Sequence, residues 1–104
     1  MTQQAWNELS FFEQMSNIDG DVQRLVRAHE KYIRGEVKTD NGLFYYDKIA
    51  KLIKMILMDD KYSDKGYRAI ELYDELSEIE EYLKGNRESE YITKYWITYT
   101  NAIS

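Results

Sequence analysis

Carboxylates supply most of the chemistry this chain could offer. Glu71, Asp74, Glu75, Glu78 and Glu81 stand three and four residues apart. On a helix Glu75 and Glu78 share a face, and carboxylate oxygens are what Mg²⁺ takes. A working site needs a second acidic pair on a neighbouring helix. An antiparallel neighbour brings Asp47 towards Glu75, but Lys48 and Lys51 come with it. Charge pairing between helices and a solvated acidic face account for that layout. Asn17, Asp19 and Asp21 alternate like the opening of a calcium loop. Such a loop needs Gly at its sixth position and an acid at its twelfth, where this chain has Val22 and Ala28. The segment therefore reads as a solvated patch at a helix bend.

Other chemistries lack their residues. The chain has one histidine, His29, and no cysteine. This removes multi-histidine metal sites, thiolate zinc sites and cysteine nucleophiles. No Glu-x-x-His pair, glycine-rich phosphate loop or Gly-x-Ser-x-Gly elbow occurs. No metal and no cofactor is expected. Lys48, Lys51 and Lys54 form a short basic ridge, yet a chain of net charge −5 and pI near 4.9 is a poor polyanion binder. Nucleic acid is not the expected partner.

Arg24-Leu25-Val26-Arg27-Ala28-His29 places an arginine five residues before the histidine. The spacing resembles the arginine–histidine motif of the HEPN family, small helical ribonucleases that dimerise to build their active site. The resemblance implies an Arg24 that steadies phosphate and a His29 that handles protons. On one straight helix the two side chains diverge by roughly 140°, so a dimer or a local break would have to bring them together. Leu25 stands where the family has a polar residue. His29 also falls on an apolar seam, which makes a core or interface histidine the plain alternative.

The elements that must carry these residues are helices. There is no proline, and the five glycines mostly fall where helical patterns start or stop. Phe11, Met15, Ile18, Val22, Leu25, His29 and Tyr32 repeat by four and three. The pattern predicts one long helix over residues 6–34, about 42 Å at 1.5 Å per residue, with Gly20 as an internal bend point. Asp40-Asn41-Gly42 is a turn signal. A second helix is predicted over 43–58, and a third over 64–84 with Ser63 or Asp64 as its cap. The third turns Ala69, Leu72, Tyr73, Leu76, Ile79 and Leu83 inward. Residues 88–103 are rich in strand formers, but Ile92, Tyr95, Trp96, Tyr99 and Ile103 keep helical spacing, and a lone strand has no partner. That segment is predicted to be a helix. Tyr95, Trp96 and Tyr99 could line a small-ligand pocket, though core packing is the simpler use of them.

Leu9-Ser10-Phe11-Phe12-Glu13-Gln14-Met15, followed by Asn17-Ile18 and Val22, resembles the opening of a group of small prokaryotic proteins with no assigned activity. The likeness covers the first quarter of the chain. It implies a free-standing helical protein and brings no catalytic residues.

The 104 residues hold 43% hydrophobic and 32% charged side chains, enough for one core. The expectation is a single all-α domain over residues 1–104, an antiparallel four-helix bundle-like fold with a long first helix. No apolar run approaches the roughly 18 residues of a membrane span, and no basic-then-apolar start reads as a signal peptide, so none is expected. A cytoplasmic protein is expected. A first helix that outreaches its partners leaves part of its stripe in need of cover. The expected function is therefore protein–protein interaction or self-association without catalysis. A homodimer would bury Phe11, Phe12, Met15 and Ile18, and a HEPN-type ribonuclease using Arg24 and His29 is the alternative.

Overall fold

Ser10 decides how the chain begins. Its Oγ accepts the Glu13 backbone N–H at 3.1 Å, and its own N–H donates to Glu13 Oε1 at 3.0 Å. This reciprocal capping box starts a helix at Phe11 and so ends the one before it. The computed structural model describes the backbone of residues 1–103 and the side chains of residues 1–101; the inward Ile103 side chain expected above lies outside them. It has a short α1 (Gln3–Asn7) and then α2 (Phe11–Ile33) in place of one helix over 6–34. Three further helices follow: α3 (Gly42–Leu57), α4 (Gly66–Leu83) and α5 (Ser89–Ile103), with a 3₁₀ turn at Asp60–Tyr62.

α2 runs unbroken through Gly20, as its continuous apolar phase requires. Both α2 and α4 stop on a left-handed glycine. At Gly35 (φ 76°), the Gly35 N–H reaches Tyr32 O and the Glu36 N–H reaches Lys31 O. At Gly85 (φ 87°), Gly85 and Asn86 bond back to Tyr82 and Glu81 in the same way. These paired bonds satisfy carbonyls that the helix end leaves open, and only glycine takes that φ without strain. α4 begins at Lys65 with no side-chain cap; neither Ser63 nor Asp64 serves. Asp59 instead caps the 3₁₀ turn, with Oδ1 accepting the Lys61 N–H at 3.1 Å.

α2 packs on α3 and α5, α3 packs on α4, and α4 packs on α5, closing a ring of antiparallel neighbours. This is the expected all-α, bundle-like fold. Phe11 at the start of α2 meets Tyr99 near the end of α5, and His29 near the end of α2 meets Tyr82 near the end of α4. Met15, Ile18, Val22 and Leu25 of α2, Ile49, Ile53 and Ile56 of α3, Leu72 and Ile79 of α4, and Ile92 and Trp96 of α5 are fully buried. Tyr73 faces outward where it was expected inside, and Tyr82 takes an inward place on α4.

At about 35 Å α2 still exceeds its neighbours, which run from about 22 to 27 Å. Its first turns are nevertheless covered. Gln14, fully buried, donates from Nε2 to Trp6 O at 2.8 Å and to Asp59 Oδ2 at 3.1 Å. Its Oε1 accepts the Tyr62 hydroxyl at 2.8 Å. Lys61 Nζ pairs with Asp59 and donates to Asn7 O at 2.8 Å. Burial alone would raise the Asp59 carboxyl, but the bonds from Lys61 and Gln14 outweigh it and hold the group below its ordinary range. The network ties α1 and the 3₁₀ turn over the start of α2.

Candidate functional site

Arg24, Arg27, Ala28 and Lys31 recur at i, i+3, i+4 and i+7, so helix geometry alone puts them in one line along α2. α3 lies beside that line and adds Asn41, Phe44 and Tyr45. Val37, from the loop between the helices, closes the upper end. Together these residues border an open cleft of about 520 Å³. Gly42 fits α3 tightly to this end of the bundle. A Cβ there would stand 2.8 Å from Asp40 Oδ1, 3.1 Å from Leu83 and 3.3 Å from His29 Cβ.

The cleft is unevenly charged. One turn before Arg24 and outside the lining, Asp21, buried at 3% exposure, receives Arg24 Nη1 at 3.0 Å and Lys48 Nζ at 3.3 Å on the same oxygen. One carboxylate thus holds two cations and joins α2 to α3. Arg27 and Lys31 reach no carboxylate among the described residues. Phe44, 66% exposed, and Val37, also exposed, line the cleft with them. A second hollow on the far side of Phe44 is bordered by Asp47, Lys48 and Lys51. Cations beside an exposed aromatic ring can hold an anionic group and cover an apolar one.

The acidic residues lie elsewhere, on α4. There Glu71 accepts from Arg68 and from the Tyr95 hydroxyl, Glu78 pairs with Arg87, and Glu80 and Glu81 pair with Lys84. Glu75 has no such partner among the described residues. Burial, then the neighbouring Glu78, Glu71 and Asp74, push its carboxyl up to about 7. Among the described residues no group of three His, Asp or Glu is placed to hold a metal ion.

The residues singled out by sequence fall as follows. Arg24 borders the α2/α3 cleft. His29 is buried on another side of α2, with its ring against Tyr82 and Nδ1 at 2.7 Å from Asp40 Oδ2. The pair is not brought together within the chain. Met15 and Ile18 are fully buried inside the protomer, and Phe11 is half-buried against Tyr62, Tyr99 and Arg68. Of the four expected contact residues only Phe12 presents a surface, 47% exposed. Tyr95 and Tyr99 pack edge-on with each other, and Trp96 is fully buried against Tyr95.

Asp19 and Asp21 are not solvated, and α2 runs unbroken past them. Asp19 is 1% exposed, and its Oδ2 accepts from Gln23 at 2.8 Å and from Thr100 of α5 at 2.6 Å. Sequence reasoning also passed over the line of Arg27 and Lys31, whose signal was their spacing from Arg24. No helix among the described residues is long and apolar enough to cross a membrane. Compared with family models, curated proteins and solved structures, the chain finds no match.

Proposed function

We propose that this protein is a protein-binding module without a catalytic role, and that it binds through the α2/α3 cleft. The observation that carries this reading is an exposed Phe44 lining the same cleft as Arg27 and Lys31, two cations with no carboxylate of their own among the described residues. Aromatic side chains and arginine are favoured at protein interfaces, because they combine apolar area with directed polar contacts. The reading includes a cytoplasmic setting. It also includes a homodimer, for which Phe12 is the exposed residue of the expected contact set.

A photo-crosslinking residue at position 44, compared with one at position 91 on α5, tests the reading in the native cells. Position 91 is as exposed as position 44. The expected result is a discrete protein adduct from position 44 that disappears with Arg27→Glu and is absent from position 91. Equal adducts from both positions, or none from 44, would overturn it.

A further inference from the structure

We infer that the occupant of the α2/α3 cleft is an acidic amphipathic segment of another protein, with carboxylates for Arg27 and Lys31 and apolar side chains for Phe44 and Val37. The inference rests on the protein-binding reading above and specifies its partner. Arg24, Arg27 and Lys31 occupy successive turns of α2, about 10 Å from first to last at 1.5 Å per residue. Carboxylates three or four residues apart on a docked helix repeat on the same scale, so each cation meets an acid. The apolar part of the cleft, Ala28, Val37 and the Phe44 ring, then takes the side chains between those acids.

Two other occupants fit the cleft less well. A nucleic acid would gain from the same cations, but the lining offers its repeating phosphates only Arg27 and Lys31 that no carboxylate among the described residues already holds. A base could stack on the exposed Phe44 ring, while Val37 and Ala28 offer its phosphates nothing. A second copy could offer the acidic α4. Its Glu71, Glu78, Glu80 and Glu81 are already held by Arg68, Arg87 and Lys84 of their own chain, which leaves only Asp74 and the half-buried Glu75 for two cations. Docking α4 of one copy into the cleft of the next is also head-to-tail, and it runs on into a filament unless the rotation closes.

Fluorescence anisotropy with the full chain and three labelled probes tests the inference. The probes are a short helix-forming peptide with Glu at every third or fourth position and Leu between, its twin with Lys for Glu, and a short oligothymidylate. The Glu peptide should bind at least about tenfold more tightly than either of the others. The double variant Arg27→Glu, Lys31→Glu should lose that binding by at least about tenfold and gain affinity for the Lys twin, while its far-UV circular dichroism stays that of the parent. Failure of the Glu peptide to bind, equal binding of the twin, or no effect of the double variant would overturn the inference. Tighter binding of the oligonucleotide would replace it with a nucleic-acid site. A position-44 adduct to a partner segment lacking acids, or to a second copy of this chain, would discard the inference and keep the binding reading. No adduct at all would discard both.

Discussion

His29 Nδ1 lies 2.7 Å from Asp40 Oδ2, and the other oxygen of Asp40 accepts the Gly42 N–H at 2.9 Å. A carboxylate can only accept, so the ring keeps its proton on Nδ1 and donates it. The single histidine of the chain thereby pins the loop after α2 to the first residue of α3. Asn41, the residue before α3, makes no capping bond of its own, and Asp40 supplies it. A histidine placed to hold a loop in this way has a structural task that does not need Arg24.

His29→Ala is therefore expected to destabilise the fold by about 2–4 kcal/mol, through the cavity under Tyr82 and the unpaired Asp40 oxygen. Urea denaturation measures it. A loss below about 0.5 kcal/mol would show that the pair does not hold the loop.

Gln14→Leu keeps the size of the side chain and removes all three of its hydrogen bonds, to Trp6 O, Asp59 and the Tyr62 hydroxyl. Unsatisfied buried groups cost about 1–3 kcal/mol each, so a loss of about 2–4 kcal/mol is expected. Hydrogen exchange should rise first in residues 3–7 and 60–62. Unchanged protection there would mean that packing alone holds α1.

Gly20→Ala should raise stability by about 0.5–1 kcal/mol, because an interior helical glycine is replaced by the best helix former. The added Cβ meets only Arg24 Nη1, at 3.3 Å, the tip of an exposed and flexible side chain. A lower midpoint in denaturant would mean that Arg24 cannot give way.

Glu75 sets a pH dependence. Its carboxyl is raised from 4.5 to about 7 in the fold, by burial and by the surrounding Glu78, Glu71 and Asp74. Between these values the folded chain holds a proton that the unfolded chain releases. This contribution to stability is fully present below about pH 4.5 and is lost as pH rises through 7. Glu75→Gln should remove this decline and raise stability at pH 8 by about 1 kcal/mol, allowing for solvent screening of a half-buried group. Thermal melts at pH 5 and pH 8 compare the two proteins. Parallel declines in Tm would contradict the assignment.

Much of the fold was legible because its signals are local. Apolar side chains three and four apart, with glycine at 35 and 85, placed the end of α2 and the limits of α3, α4 and α5 within two residues of where they fall. The break before Phe11 was missed although two signals mark it: Trp6 and Leu9 fall on the side of a continuous helix opposite Met15 and Ile18, and Ser10-x-x-Glu13 is a capping box. Gln14, Asp19 and Asp21 read as surface by type. Yet Gln14-Ile18-Asp21-Leu25 and Met15-Asp19-Val22-Val26 each keep helical spacing, so phase placed them inside. The candidate site was half legible. Arg24, Arg27 and Lys31 can be aligned by counting, but the proximity of Phe44 and Val37 depends on how α3 docks, which no local pattern encodes.

Phe44→Glu, set against Tyr91→Glu, tests the binding account most directly, because the two residues are equally exposed, at 66%, on different faces of the bundle. Each variant is used as bait in the native cells, with co-purifying proteins quantified against wild type and folding checked by circular dichroism. The account predicts that Phe44→Glu loses a specific partner that both wild type and Tyr91→Glu retain, with all three proteins folded. A folded Phe44→Glu that keeps every partner of the wild type would contradict it.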